Sequence, residues 1–481
     1  MSLKQKALGS AKWTALSAII KGGVQVLQMA ILARLLPPAD FGLMAIVSAV
    51  LAFATIFADM GVGSAIIQRR DVDQVQLSSL YWVNIGASIA LMIVLTAIGP
   101  LLADFYSDAR LTAVLAVAAC VFPINATYLQ LRFRAEKELQ FAKLAWIEMT
   151  AAMIGLLVAI VSAKLDLGIY ALVTGTLTIA GVTSLLAWLL LADGWRPSWV
   201  LDMTAIQPFL RFGYFMIGNA VASTTNTMAD IFLGGRLLGA QALGLYSLPR
   251  NFSLQVAMLV NPIITRIGFP VMAKVQDQPE QLKAFYLQTI SISASLNYPI
   301  YTFMMVMAPE LVTLLFGREW AASADVMRLL AGWGLIRSTG NPVGALLMAV
   351  GKANVQFYWN LWLTLFVPAT VFVGSKYGVN GLAAALLLTQ IGLFVPSWYF
   401  LVHPYCHATL REYTYQAMVP LLISLPASAA AFLAGQFFTT ALPRLLVAGF
   451  CFAVVYVVLT LRARPVLAAQ ALTLVRRFVY K

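Results

Sequence analysis

Charge is what this sequence has least of. Only 19 of its 481 residues are Asp or Glu and 32 are Lys or Arg, so the charged share is 11% in a chain that is 61% hydrophobic. Its mean hydropathy is +0.84. A soluble domain is about a quarter charged, and so little charge cannot cover a water-exposed surface of this size. The scarcity excludes a soluble enzyme, a disordered chain and a DNA-binding module. Cysteine is also scarce: Cys120, Cys406 and Cys451 form no framework, and two of them fall inside apolar runs, so disulfides are not implied. The two histidines, His403 and His407, have the i,i+4 spacing of metal ligands but no third ligand beside them. No Walker sequence, zinc signature or nucleophile triad is present. An ATP-driven pump is therefore unsupported, and no metal, cofactor or nucleic acid is expected. A cleavage site of small residues after a short apolar segment is missing as well, so the first apolar run reads as an uncleaved span.

What the sequence does have is long apolar runs, and a run of ~20 residues is the length that crosses a bilayer as a helix. Spans fall at about 12–36, 40–67, 76–103, 109–131, 141–164, 168–192, 207–237, 241–272, 281–307, 321–349, 354–375, 380–402, 413–438 and 442–463. The chain reads as an all-α polytopic membrane protein of about 14 transmembrane helices. The connections are short, with turn signals such as Pro37-Pro38 and Asp193-Gly194. With the amino terminus in the cytoplasm, 21 Lys and Arg fall on the cytoplasmic side and seven on the other. That bias sets both termini inside. It also accounts for most of the net charge of +13, which lies where the anionic leaflet is.

An internal repeat is visible. Arg34-Leu35-Leu36 with Gly42-Leu43 recurs as Arg236-Leu237-Leu238 with Gly244-Leu245, at an offset of 202. An even number of spans separates the copies, so they run the same way through the membrane, one known plan for a transporter. In the first span Ser17, Lys21, Gln25 and Gln28 mark one helix face; the same offset gives Asn219, Ser223, Thr227 and Asp230, again all polar. Ser48 and Asp59 map onto Arg250 and Asn261. Polar stripes are expensive in lipid unless they face protein or water. These helices are therefore expected to line a hydrated cavity between two halves.

Four basic residues lie deep in spans: Lys21, Arg250, Arg328 and Arg337. A charge at mid-bilayer costs at least ~2.5 kcal/mol, so each needs a partner or water. Guanidinium forks match phosphate oxygens, and cations converging on one cavity would suit a pyrophosphate. The competing reading is interhelical pairing and packing. Arg34 and Arg236, near outer helix ends, also fit snorkelling to headgroups. The intramembrane acids Asp59, Glu148 and Asp230 would either carry a coupling proton or cation or neutralise the buried arginines. Gly340-x-x-x-Gly344 and Gly374-x-x-x-Gly378 read as packing signals.

Several of these segments together resemble a family. Ala33-Arg34-Leu35-Leu36 through Phe41-Gly42-Leu43, then Asp59-Met60-Gly61 with Ala65-Ile66-Ile67-Gln68-Arg69, is similar to the amino-terminal pattern of polysaccharide flippases. So are Asp230 with Gly235-Arg236-Leu237-Leu238-Gly239 and Leu243-Gly244-Leu245-Tyr246, and Phe269-Pro270 before Gln276-Asp277. Phe316-Gly317 with Trp320, and Arg337-Ser338 with Gly340-Asn341-Pro342 and Leu346-Leu347-Met348-Ala349, complete the set. The resemblance covers nearly the whole chain. It is nearest to Wzx-type exporters of the colanic-acid and exopolysaccharide branch, in the superfamily that also holds multidrug and lipid II exporters.

The resemblance implies a six-helix bundle over 1–195, a second over 196–405, and two added helices with a cytoplasmic tail over 406–481. It implies an undecaprenyl-pyrophosphate-linked oligosaccharide as cargo, moved from the cytoplasmic to the periplasmic leaflet of a bacterial inner membrane by alternating access. Exopolysaccharide or lipopolysaccharide biosynthesis would be the setting, with polymerase and export proteins as companions. Lys21, Arg34, Arg250 and Arg337 would meet the pyrophosphate. Gln25, Gln28, Asn219 and Thr227 would line the cavity for sugars. Asp59 and Asp230 would serve ion coupling or charge balance. Two other readings stay open: a cation-coupled multidrug exporter of the same superfamily, expected to favour acids and aromatics in its cavity, and a membrane-embedded polymerase or ligase, expected to need a large outer loop.

Overall fold

The computed structural model describes the backbone of residues 3–59 and 73–463, with all side chains there except those of 3–12, 15, 59, 205, 207–216, 219, 259–260 and 262–267. Every regular element among the described residues is helical. In chain order they begin with α1 (Leu3–Leu32), α2 (Pro38–Asp59), α3 (Gln74–Tyr106), α4 (Arg110–Ala119), α5 (Val121–Lys137), α6 (Phe141–Lys164) and α7 (Tyr170–Leu191). There follow α8 (Met203–Lys274), α9 (Pro279–Val306), α10 (Ala308–Leu315), α11 (Ser323–Ala349), α12 (Ala353–Ser375), α13 (Gly378–Ser397), α14 (Leu410–Gly435) and α15 (Ala441–Ala463). The expected spans fall on these helices in order, with 109–131 covering both α4 and α5, while residues 60–67 of the second span lie outside the described residues. Two of them share α8, which breaks at Gly239, where φ is 79° and ψ 169°; glycine meets that backbone without the clash a Cβ would bring.

Among the described residues ten helices are long and apolar enough to cross a membrane, and up to eleven if the pair α9 and α10, bent by 82°, counts as one span. This is a multi-pass membrane protein. The long helices outside that set are informative. Among the described residues the apolar stretch of α1 is Leu16–Leu32, which contains Ser17, Lys21, Gln25 and Gln28. α11 carries Asp325, Arg328 and Arg337.

The chain divides into two compact units. The first comprises Met1–Leu248 with Asn360–Leu382, the second Pro249–Trp359 with Ala383–Lys481. In the first, α6 packs on α7 and α1 on α6, while α3 packs on α4 and α5. Small residues set the closest approach: a Cβ on Gly155 would stand 2.3 Å from Ile179 Cγ1, and one on Gly175 2.9 Å from the Cβ of Ala159. The stretch after α7 is fastened to α3. Gln74 Nε2 donates to the Arg196 carbonyl at 2.8 Å, Trp82 Nε1 to that of Ser198 at 2.9 Å, and Asp202 N to Ser79 Oγ at 2.9 Å.

In the second unit α9 packs on α11 and α14, and α14 on α15. Two ion pairs tie its ends: Lys283 to Glu412 at 2.6 Å and Arg444 to Glu310 at 3.1 Å. Gly340 and Gly344, expected as a packing motif, have open space where a Cβ would go. In the first unit, by contrast, a Cβ on Gly381 would stand 2.4 Å from the Gly374 carbonyl oxygen.

Candidate functional site

The polar face of α1 is spent chiefly on α6. Lys21 Nζ reaches Glu148 Oε2 at 2.5 Å, and Ser17 Oγ donates to the same oxygen at 3.2 Å. Ser17 is buried, while the Lys21 and Glu148 side chains are 42% and 31% exposed. The pair is reachable, not sealed in a core. One turn down α1, the Trp13 ring lies 6.2 Å from that of Trp146 on α6. Further along, the Gln28 amide nitrogen comes within 3.7 Å of the Cβ position of Gly175 on α7, and Gln25 is exposed. Periodicity found the face of α1 but not its partner, since Glu148 is distant in sequence and sits in a helix whose pattern is otherwise apolar.

Arg34 does not join Lys21. It is exposed in the turn after α1, and thirteen residues of helix are about 20 Å long. At that end the two copies of the repeat meet. A Cβ on Gly42 would stand 1.7 Å from the Ala240 carbonyl oxygen, and one on Gly244 1.8 Å from that of Pro38. Ala240 is Pro38 plus 202, and Gly244 is Gly42 plus 202. The contact is thus reciprocal, as a pseudo-two-fold relation between the copies requires. Charges brace the same end: Arg110 bridges Asp40 at 3.2 Å and Asp108 at 2.8 Å. The hydrogen bond from Arg110 holds the Asp108 carboxyl below the ordinary carboxylate range. Arg236, the counterpart of Arg34, is exposed, donates to Ser107 Oγ at 3.4 Å and lies over the Phe105 ring. A cleft of about 530 Å³ here is lined by Asp104, Asp108, Ser107 and Thr112 with apolar neighbours; its acids make it a poor seat for an anion.

Asp230 is buried, its Oδ2 accepting from Tyr246 Oη at 2.6 Å and its Oδ1 from the backbone of Ile231 at 2.9 Å. The bond to Tyr246 joins the two arms of α8 across Gly239. Thr227 turns its hydroxyl to the Ser223 carbonyl of its own helix at 2.9 Å. The side chains of Asp59 and Asn219 lie outside the described residues.

Arg250 and Arg337 belong to the second unit, and Tyr301 of α9 links their neighbourhoods. Its hydroxyl donates to the Ser253 carbonyl at 2.8 Å, one turn beyond Arg250, and its ring packs on Gly334, one turn before Arg337. The two arginines nonetheless differ. Arg250 is 3% exposed; Arg337 is exposed and lies over the Trp333 ring at 4.7 Å. Buried polar groups continue the seam: Ser293 Oγ donates to the Ser338 carbonyl at 3.1 Å, and Asn297 Nδ2 to Asn261 Oδ1 at 3.4 Å. The histidines serve a turn, His403 Nδ1 lying 3.2 Å from the Ala408 carbonyl oxygen. No group of three metal-ligating side chains occurs among the described residues.

Comparison with known proteins places this geometry. The profile of the polysaccharide biosynthesis protein family matches residues 31–325. The chain belongs to that family. It is 32% identical over 427 residues to the lipopolysaccharide biosynthesis protein WzxC of Escherichia coli (strain K12), covering 89% of this chain and 87% of that one. It is 28% identical to the teichuronic acid biosynthesis protein TuaB of Bacillus subtilis (strain 168), over 88% of each chain. Among solved structures it shares its fold with the lipid II flippase MurJ in an inward closed conformation. The TM-score is 0.72 and the identity 12%, with 94% of this chain and 99% of that one covered. The two kinds of likeness are compatible: a member of the polysaccharide biosynthesis protein family, similar in sequence to WzxC, with a fold that it shares with MurJ.

Proposed function

We propose that this protein is a flippase that carries an undecaprenyl-pyrophosphate-linked oligosaccharide from the cytoplasmic to the periplasmic leaflet of the bacterial inner membrane, with both termini in the cytoplasm. The observation that carries the reading is Lys21: a half-exposed ammonium within a span, in a chain of the polysaccharide biosynthesis family. A cation kept at such cost in a membrane helix marks a pathway for an anionic group. Lys21, Arg34, Arg250 and Arg337 are the proposed contacts for the diphosphate, and Gln25, Gln28, Asn219 and Thr227 those for the sugars. Asp59 and Asp230 would balance these cations or couple an ion. The bundles over 1–195 and 196–405 would rock to alternate access, with 406–481 added to them. Polymerase and export proteins would receive the delivered unit. The superfamily's drug exporters are a weaker fit, since the excess of deep basic residues here suits an anionic cargo.

A deletion strain tests this. Mass spectrometry of its lipid extract should show the complete repeat unit, still on its diphosphate lipid carrier, accumulating at the expense of polymer. Unchanged intermediates together with a rise in drug sensitivity would favour the exporter reading instead.

A further inference from the structure

The Lys21–Glu148 pair poses a problem for any anionic cargo. While the carboxylate sits 2.5 Å from the ammonium, the cation is neutralised and its attraction for a phosphate largely cancelled. A pair built only for stability would be enclosed, because half-open ion pairs contribute little; here both side chains remain open by roughly a third or more. The pair is also not symmetric in its bonding. Lys21 and Ser17 both donate to Oε2 of Glu148, leaving the other oxygen out of both bonds. A carboxylate oxygen and a phosphate oxygen are the same kind of acceptor for an ammonium.

We propose that Glu148 is an internal stand-in for one phosphate of the cargo, holding Lys21 in place until a lipid diphosphate displaces it. This rests on the flippase reading above and adds a positioning residue to it. Displacement frees the Glu148 carboxylate from Lys21 while the cargo is bound. Its return to Lys21 then helps expel the diphosphate, so the same residue weakens binding and speeds release.

The test uses the purified full chain and radiolabelled farnesyl diphosphate, a sugar-free probe with the same anionic group. Glu148→Gln should bind it about three- to fivefold tighter, the range an ion pair of this exposure permits, yet turn over a lipid-linked cargo more slowly in liposomes. Ser17→Ala, which loosens the carboxylate without removing it, should shift binding in the same direction by less. Lys21→Gln should weaken binding about tenfold, and Lys21→Gln with Glu148→Gln should match it. The proposal is overturned if Glu148→Gln and Ser17→Ala leave affinity unchanged, or weaken it as Lys21→Gln does at equal thermal stability, because the pair is then a structural clamp. Should Glu148→Gln fail to fold, Ser17→Ala decides. Absence of binding by the folded wild type overturns the flippase reading itself, a separate outcome from the others.

Discussion

Replacing Gly42 or Gly244 by alanine is expected to remove most of the folded protein from the membrane. A Cβ at Gly42 would meet the Ala240 carbonyl oxygen at 1.7 Å and its carbon at 2.7 Å; at Gly244 it would meet the Pro38 oxygen at 1.8 Å. These obstacles are backbone atoms, so no rotamer change relieves them, and the helices would have to part by more than an ångström. Overpacking of this kind costs about 3 kcal/mol or more, a large fraction of a typical total stability of about 5–15 kcal/mol. Size-exclusion profiles of heated detergent extracts would show each variant unfolding well below the wild type. Gly86→Ala, where nothing lies within 4 Å, serves as the control and should be neutral or stabilise by about 0.5–1 kcal/mol.

Losing the cations should abolish export without lowering protein levels. Lys21 and Arg337 are both exposed enough for substitution to leave packing intact. A charge-assisted hydrogen bond contributes about 1.5–3 kcal/mol, and about 1.4 kcal/mol is tenfold in rate. Each of Lys21→Ala and Arg337→Ala should therefore reduce export by about tenfold or more, and the two together to background. Polymer yield in a deletion strain complemented with each variant, normalised to membrane protein, reads this directly. Full export by the double variant at normal levels would remove these residues from the account. Arg250 is unsuited to the same test, because a guanidinium 3% exposed fails on folding before it fails on transport.

The spans were legible from sequence because hydropathy is local: each helix declares its own length. The polar face of α1 was legible for the same reason, as was the repeat. What it missed are matters between helices. Nothing in the pattern of α6 announces that Glu148 closes on Lys21, since Glu148 interrupts that helix only once. The offset of 202 related Gly42 to Gly244 but could not say that each packs against the other's copy. Nor does the pattern show what the polar groups bond to: Asp230 accepts from Tyr246, and Thr227 donates to the Ser223 carbonyl. By contrast, the expected spans 207–237 and 241–272 divide α8 where Gly239 breaks it, at φ 79°.

The central claim is translocation of an intact anionic lipid. Proteoliposomes containing only this protein and a labelled undecaprenyl-diphosphate oligosaccharide, probed with a sugar-modifying reagent confined to one side, test it most directly. The account predicts that the label crosses to the opposite leaflet, is recovered chemically unchanged, and stays put when Lys21 and Arg337 are alanine. Label that remains in its original leaflet with active wild-type protein, or that returns cleaved or elongated, would contradict it.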